Sequence, residues 1–180
     1  MKIETLRLTI RPLEIQDLHA LHQLQHEESV LAYNVMNPPS LDEMIEWFEK
    51  RSNAEKDLAI IENATQQLIG MIHLEEDDLR YHANSKCISY YLSPDKEHRG
   101  YMTEALQSVL KECFYQRKIS LLSARVFVPN TRSNELMGRL GFVLEGTLKD
   151  AVRGYTGVIF DDNLYRMTKD DFERIYLDQK

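Results

Sequence analysis

The chain is poor in the residues that mark several classes of protein. Its 180 residues include only 2 cysteines, 1 tryptophan and 7 glycines. The two cysteines, Cys87 and Cys113, cannot build a disulfide framework, and no Cys-x-x-Cys or Cys/His spacing suits a metal ion. We therefore predict neither a disulfide scaffold nor a bound metal, and we expect Cys113 to be a small buried apolar residue.

Positively charged residues are also fewer than negatively charged ones. The chain has 22 Lys and Arg residues against 29 Asp and Glu residues, which gives a formal net charge of -7 at pH 7. A nucleic-acid-binding domain is more often basic, so nucleic acid is not an expected partner. An acidic surface suits a cationic substrate such as an amine, although many proteins are acidic without such a role.

Long hydrophobic runs are missing as well. The N-terminal sequence MKIETLRLTIRPL lacks the apolar core of a signal peptide, and no stretch approaches the length needed to span a membrane. We therefore expect a cytoplasmic protein with no membrane partner. With 43% hydrophobic residues, the chain has enough apolar material for a single globular domain over residues 1–180.

Hydrophobic periodicity predicts alternating strands and helices. Residues 3–13 alternate apolar and polar side chains, as in a half-buried strand that ends at Pro12. Leucines at helical spacing predict a first helix, and a capping box formed by Ser40 and Glu43 predicts a second over residues 40–53. The predicted order is β-α-α-β-β-β-α-β-α-β-β with a last polar helix near Thr168, which is typical of an α/β fold with one mixed sheet.

The sequence EHRGYMTEAL, residues 97–106, follows a strand that stops at Pro94 and begins a helix. This helix is predicted to carry one apolar stripe, formed by Ala105, Leu106, Val109, Leu110, Cys113 and Phe114. The first turn of a helix has four N–H groups without intrahelical partners, and the helix dipole adds roughly half a positive charge there. A diphosphate can bind such a turn. Gly100 permits close approach, while Arg99 and Thr103 add a charge and a hydroxyl. An ordinary helix start has the same pattern, so this stretch alone leaves both interpretations open.

A second segment, NTRSNELMGRLGF, follows after the next strand. The succession of strand, R-G-Y-x-T-E-A, helix, strand, N-x-x-S and L-G-F resembles the GNAT superfamily of acyl-CoA-dependent N-acyltransferases. The resemblance is closest to the branch that holds the ribosomal-protein N-terminal acetyltransferases (the RimJ/RimL group) and the spermidine acetyltransferases. The segments TLRLTIRPLEIQDL, YYLSP, FVLEGTLKDAVRGY and DDNLYRM fit the same pattern in order along nearly the whole chain.

This resemblance implies a single-domain α/β fold, with a twisted mixed sheet whose two central strands are splayed and whose faces carry helices. It also implies acetyl-CoA as co-substrate. Tyr91 and Leu92 would offer backbone groups to the pantetheine arm, and the diphosphate would lie on the following turn. The cofactor-binding residues implied beyond the strand are Glu97, His98, Arg99, Gly100, Tyr101, Met102 and Thr103, with Asn130 and Ser133 near the thioester.

Three residues of the turn depart from the family pattern. Glu97 replaces a glutamine or arginine, and its negative charge is unfavourable beside a diphosphate unless the side chain turns away. His98 stands where this branch often has a glycine. Met102 replaces a small residue, and its side chain either crowds a phosphate or faces the core. We still expect binding, because backbone donors supply most of the contacts.

Two catalytic positions are altered too. Met137 matches the tyrosine that protonates the departing thiolate in spermidine acetyltransferases, which leaves Ser133 as the predicted hydrogen-bond donor to the sulfur. Cys87 replaces a glutamate that many relatives carry in the central strand. The predicted proton acceptor is therefore Glu75 or His73, acting through a water. Glu75 also fits a solvated acidic turn, and His73 also fits an ordinary strand position.

No motif specifies the acceptor amine. Deprotonation at pH 7 costs about 5 kcal/mol for a lysine-like amine and about 1 kcal/mol for an α-amine. Without an obvious strong base, the N-terminal α-amine of a peptide or protein fits better than a polyamine. The alternatives are a small-molecule acetyltransferase acting on a polyamine, amino acid or antibiotic, a non-catalytic acyl-CoA-binding module, and an interaction protein that has lost cofactor binding.

Aromatic side chains are candidates for the acceptor cleft. Tyr33, Trp47 and Tyr155 are predicted to line it, although each also suits a core or rim position. Family members form dimers and larger assemblies, and the sequence neither requires nor excludes a homodimer.

Overall fold

A computed structural model describes residues 2–50 and 54–177 of the chain. The chain clusters into two compact units, of which the first holds Met1–Leu74 and Tyr90–Ala105 and the second holds Glu75–Ser89 and Leu106–Lys180. The organisation of residues 1–180 as one domain stays a prediction, and the two units are described in turn.

Antiparallel strands form the framework of the first unit. They are β1 (Ile3–Glu4), β2 (Leu8–Pro12), β3 (Asp57–Glu62) and β4 (Gln67–Glu76). Each pairs antiparallel with the next. The turn of residues 63–66 joins β3 to β4, and its last residue, Gln66, has a left-handed φ of 57°. Pro12 ends β2, which confirms the prediction.

The first strand is interrupted, which the sequence pattern did not predict. The backbone N–H of Thr5 donates to Leu8 O at 2.9 Å, and Leu8 N–H donates to Thr5 Oγ1 at 3.0 Å. These reciprocal bonds close a tight turn between β1 and β2. Leu6, which the alternation placed on the buried face, is consequently 92% exposed.

The chain between β2 and β3 forms helices. They are α1 (Leu18–Gln25), α2 (Glu28–Leu31) and α3 (Leu41–Lys50). The predicted capping box opens α3: Ser40 N–H donates to Glu43 Oε2 at 2.8 Å, and Glu43 N–H donates to Ser40 Oγ at 3.3 Å. The end of the predicted helix, residues 51–53, lies outside the described residues. The core contains Leu13, Leu18, Leu21, Met44, Ala59, Ile61 and Met71.

The strands of the second unit form a mixed arrangement. They are β5 (Ser85–Leu92), β6 (Leu121–Phe127), β7 (Val143–Arg153) and β8 (Ile159–Thr168). β8 pairs antiparallel with both β6 and β7. The parallel ladder of β5 and β6 runs from Ser85↔Leu121 to Cys87↔Ser123 and ends there, although β6 continues to Phe127. The early end of this ladder fits the splayed strands that the sequence implied.

The remaining helices are α4 (Tyr101–Tyr115), α5 (Thr131–Leu140) and α6 (Lys169–Tyr176). β4, β5 and α4 contribute residues to both units. The predicted apolar stripe of α4 is confirmed, since its six residues are at most 1% exposed: Ala105, Leu106, Val109, Leu110, Cys113 and Phe114. Burial raises the pKa of the Cys113 thiol to about 12. Over the described ranges, no helix is both long and apolar enough to cross a membrane.

Gly70 allows a close backbone contact in the first unit. A Cβ at this position would lie 2.7 Å from the backbone oxygen of Tyr91. We predict that Gly70→Ala lowers the free energy of unfolding by about 1–3 kcal/mol, because a backbone oxygen cannot move aside cheaply. Urea denaturation measures the loss. The control is Gly146→Ala in β7, where a Cβ meets nothing within 4 Å; equal stabilities of the two variants would contradict the close contact.

Candidate functional site

The turn between β5 and α4, residues 93–100, has an unusual backbone. It starts with a single 3-10 turn at Pro94–Lys96. Two residues then adopt left-handed conformations, His98 with φ 58° and Gly100 with φ 77°. Glycine takes this conformation freely, whereas a residue with a side chain is strained in it. The shape of the turn therefore depends on contacts that hold it in place.

Backbone donors of this turn are left without internal acceptors. Glu97 N–H donates to Pro94 O at 3.3 Å, and Glu104 N–H donates to Gly100 O at 3.0 Å. Between these two bonds, the N–H groups of residues 98–103 have no acceptor among residues 2–50 and 54–177. With the positive end of the α4 dipole added, such a row of donors can bind an anion with several oxygens, and it fits a diphosphate.

One buried carboxylate ties the two ends of the turn together. Glu62 at the end of β3 is 5% exposed. It accepts hydrogen bonds from Lys96 Nζ at 2.8 Å, Tyr101 OH at 2.6 Å and Thr65 Oγ1 at 2.7 Å. These bonds, with that from Lys96 the strongest, lower the pKa of Glu62 to about 2. Lys96 ends the 3-10 turn and Tyr101 begins α4, so Glu62 anchors the residues on both sides of positions 97–100.

A second carboxylate connects the start of α4 to the segment between β1 and β2. Glu104 accepts hydrogen bonds from Thr5 Oγ1 at 2.6 Å, Arg7 N–H at 2.9 Å and Arg7 Nε at 2.7 Å. Arg7 also donates through Nη1 to Arg99 O at 2.8 Å. Its guanidinium carbon lies 4.3 Å from the centre of the Tyr101 ring. Glu62, Glu104 and Arg7 were not predicted as site residues, because no local sequence pattern connects them to the turn.

The side chains of the turn take different positions. His98, Arg99 and Gly100 are exposed, whereas Glu97, Tyr101 and Thr103 are half-buried. Met102 is only 7% exposed and lies among the core residues. Of the two orientations left open by the sequence, the one facing the core is therefore the one observed.

The end of β5 presents backbone groups on an open edge. Ser93 N–H donates to Ile69 O at 2.7 Å, and the Tyr91 carbonyl faces Gly70. Because backbone groups alternate along a strand, the amide and carbonyl of Leu92 point to the opposite edge. The backbone of Leu92 can therefore bind the pantetheine arm, a role that the family resemblance assigned to Tyr91 and Leu92 together.

The second predicted cofactor segment lies in the second unit, where α5 begins. Asn130 caps the helix, since its side chain accepts from Ser133 N–H at 3.2 Å. Asn134, which the sequence analysis missed, donates to Asn130 O at 2.8 Å and accepts from Asn163 Nδ2 and Tyr165 OH at 2.8 Å each. Asn134 thus fixes the start of α5 to β8. The sequence pattern that could have indicated Asn134 is its position four residues after the helix-capping Asn130.

A carboxylate orients His73 across the β3–β4 ladder. His73 Nδ1 lies 2.8 Å from Asp57 Oδ1, and Asp57 is 9% exposed. Donation from Nδ1–H to the carboxylate leaves a lone pair on Nε2 of the neutral ring. The His73 ring is 5.7 Å from the Tyr91 ring, and the Tyr91 hydroxyl accepts from Gln25 Nε2 at 3.0 Å. This arrangement suits a proton acceptor.

Other predicted residues are more dispersed. Glu75 is exposed near the end of β4, two positions after His73 on the same strand. Burial raises the pKa of the Cys87 thiol, which keeps it neutral. Met137 is fully buried.

The predicted acceptor residues are divided between the units. Tyr33 is half-buried and Trp47 is 43% exposed in the first unit, whereas Tyr155 is 37% exposed in the β7–β8 turn of the second. Their role stays a prediction. Among the residues that the structure describes, no group of three or more His, Cys, Asp or Glu side chains could hold a metal ion.

Comparisons with known proteins agree with this geometry. A family model described as an acetyltransferase (GNAT) domain matches residues 7–143. The chain is 29% identical to the spermidine N(1)-acetyltransferase of Vibrio cholerae serotype O1 over 145 residues, which cover 79% of this chain and 82% of that protein.

Solved structures share the fold. An acetyltransferase of the GNAT family from Bacillus anthracis superposes with a TM-score of 0.83 at 24% identity, covering 94% of this chain and 99% of that one. The spermidine N-acetyltransferase of Vibrio cholerae in complex with CoA and spermine gives 0.81 at 23% identity, covering 93% and 99%. The α/β fold class is confirmed, while the narrower RimJ/RimL branch stays a prediction.

The ionisation of Glu62 makes stability depend on pH. Its pKa is about 2 in the folded protein against an ordinary 4.5, so its contribution is fully present above pH 4.5 and is lost as the pH falls toward 2. We predict that wild type and Glu62→Gln differ most in free energy of unfolding near about pH 6 and least near about pH 3. Urea denaturation across this range measures the difference.

The control for this measurement is Glu49→Gln, which changes an exposed carboxylate of α3 and should stay close to wild type throughout. A difference between wild type and Glu62→Gln that persists unchanged into acid would show that the Glu62 carboxylate is not held as described.

Proposed function

Because the chain belongs to the GNAT acetyltransferase family, we propose that it transfers the acetyl group of acetyl-CoA to a primary amine of a polyamine. As a family member the protein is an N-acetyltransferase, and acetyl-CoA is the co-substrate. The observation that carries the proposal is the row of N–H groups at residues 98–103, which have no acceptor in the described part of the chain.

We assign the contacts of coenzyme A in order, from the diphosphate at this row of N–H groups to the thioester. The N–H groups of residues 98–103 would bind the diphosphate, and the exposed side chain of Arg99 would add positive charge. The backbone of Leu92 would take the pantetheine arm along the open edge of β5. Asn130 and Ser133 are assigned to the thioester end on the family resemblance, and this assignment rests on sequence.

The protein's own residues would supply orientation and proton transfer. The amine nitrogen attacks the thioester carbonyl, a C–N bond forms and the C–S bond breaks, with no covalent enzyme intermediate. Holding the two substrates in line provides most of the acceleration. Nε2 of His73 takes a proton from the acceptor's ammonium, directly or through a water, and Asp57 stabilises the imidazolium that results. Ser133 donates a hydrogen bond to the departing sulfur.

Three observations favour a polyamine over a peptide α-amine. The preference for an α-amine assumed that no base is positioned in the site, and the His73–Asp57 pair offers an oriented imidazole. Because this imidazole can accept the ammonium proton within the site, the larger deprotonation cost of a lysine-like amine, about 5 kcal/mol at pH 7, does not exclude a polyamine. In addition, the Vibrio cholerae relative is named for spermidine. The net charge of -7 also attracts polycations over short distances.

The proton acceptor can be identified by substitution. We predict that His73→Gln lowers kcat about 100-fold, the usual size for loss of a general base, and leaves the KM for acetyl-CoA unchanged. Asp57→Asn should give a smaller loss, since it leaves the imidazole in place but without its stabilising charge. Release of free CoA measures the rate. If Glu75→Gln lowers kcat more than His73→Gln does, the base is Glu75 and the assignment is wrong.

The acceptor class can be tested by competition. The protein is incubated with acetyl-CoA and equal concentrations of spermidine and a peptide with a free N-terminus, and mass spectrometry follows both products. We expect acetylspermidine to accumulate first at neutral pH. Earlier acetylation of the peptide would contradict the polyamine proposal and favour the α-amine. Binding of acetyl-CoA without any product from a wide set of amines would favour the non-catalytic module.

A further inference from the structure

We propose that Glu62 is a positioning residue for acetyl-CoA, which fixes the shape of the diphosphate-binding turn before the ligand arrives. This inference rests on the proposed function. Glu62 is not part of any motif in the sequence, and it lies at the end of β3, outside the turn itself.

The contacts of Glu62 span the turn. Its Oε2 accepts from Lys96 and its Oε1 accepts from Tyr101, so the residues on either side of positions 97–100 are bound to a single carboxylate. Glu62 and Lys96 side chains are only 7% and 15% exposed. Hydrogen bonds to a charged group are shorter and stronger than neutral ones, and partial burial shields them from water.

The turn needs such an anchor. Within the described residues, the internal backbone bonds of the turn lie at its borders, from Lys96 N–H to Ser93 O, from Glu97 N–H to Pro94 O and from Glu104 N–H to Gly100 O. The left-handed backbone of His98, with φ 58°, is unfavourable by itself. Arg7 holds the Arg99 carbonyl from the other side. Side chains rather than backbone bonds therefore hold the N–H groups of residues 98–103 in one direction, and such preorganisation strengthens ligand binding.

Glu62 could act on CoA binding through its charge or through the shape of the turn, and the two roles predict opposite effects of replacing it. Lys96 is paired with Glu62, and Arg7 is paired with Glu104. If Glu62 acted only through its charge, replacing it by glutamine would free the Lys96 ammonium and strengthen the binding of an anionic ligand. If Glu62 acts through the shape of the turn, the same change weakens binding. The direction of the effect therefore decides between the two.

The experiment measures CoA binding by isothermal titration and the kinetics of acetyl transfer in the full-length protein. We expect Glu62→Gln to raise the Kd for CoA and the KM for acetyl-CoA about tenfold, the size of one lost charge-assisted hydrogen bond. The kcat should stay within about twofold, because the reacting groups are untouched. Lys96→Met should weaken binding as well. Unchanged or tighter binding by Glu62→Gln would overturn the inference.

A matched control exists in the second unit. Glu173 of α6 accepts from Tyr115 OH at 2.7 Å and lies 3.4 Å from Lys169 Nζ, so it has the same partner types as Glu62. Glu173→Gln should leave the Kd for CoA unchanged. Tyr101→Phe serves as a second test variant if Glu62→Gln folds poorly, since it removes one bond to the carboxylate and retains the ring beneath Arg7. It should weaken CoA binding in the same direction.

A shortened substrate separates positioning from general destabilisation. S-acetylpantetheine lacks the diphosphate, so Glu62→Gln should leave kcat/KM for this substrate unchanged while lowering it for acetyl-CoA. An equal loss with both substrates would overturn the inference, because it would place the effect outside the turn. If the wild-type protein does not bind CoA at all, the proposed function itself fails, whereas normal wild-type binding with an unaffected variant refutes the role of Glu62 alone.

Discussion

The row of N–H groups at residues 98–103, without acceptors in the ranges that the structure describes, is the constraint on which the site depends. Free donors at a helix start are ordinary, but here they continue into a turn with left-handed residues. Such a turn does not hold its shape through its own backbone. Glu62 holds it from the end of β3, and Glu104 in the first turn of α4 holds it through Thr5 and Arg7, which lie between β1 and β2; both carboxylates are shielded from solvent. Strand β3 and the segment between β1 and β2 therefore serve the turn as well as the core.

The residues of the turn that depart from the family pattern, Glu97, His98 and Met102, are compatible with diphosphate binding by the backbone. His98 occupies a left-handed position where the related branch often has glycine, and the surrounding contacts hold it there. Met102 lies in the core, so its size does not fill the open side of the turn. Glu97 uses its backbone N–H at the border of the turn. Because the donors belong to the backbone, side-chain replacements at these positions leave the row of N–H groups intact.

Local patterns in the sequence predicted the helices and strands well. They could not predict which residues that are distant in sequence contact one another. The stripe of α4 and the capping box of Ser40 and Glu43 follow from spacing within one element, and both are confirmed. The break at Thr5 depends on side-chain bonds that alternation does not encode. Glu62 meets Tyr101 across 39 positions of sequence, and Arg7 meets Glu104 across 97. Only the folded strands bring these groups together, so no motif could indicate them.

A crystal structure of the protein with CoA tests the role of these N–H groups most directly. Oxygens of the diphosphate are expected within about 3 Å of backbone nitrogens in residues 98–103, the normal length of an N–H···O bond. The bonds from Lys96 and Tyr101 to Glu62 are expected to be the same as in the protein without CoA. A diphosphate bound elsewhere, with these nitrogens left without a ligand, would contradict the central claim.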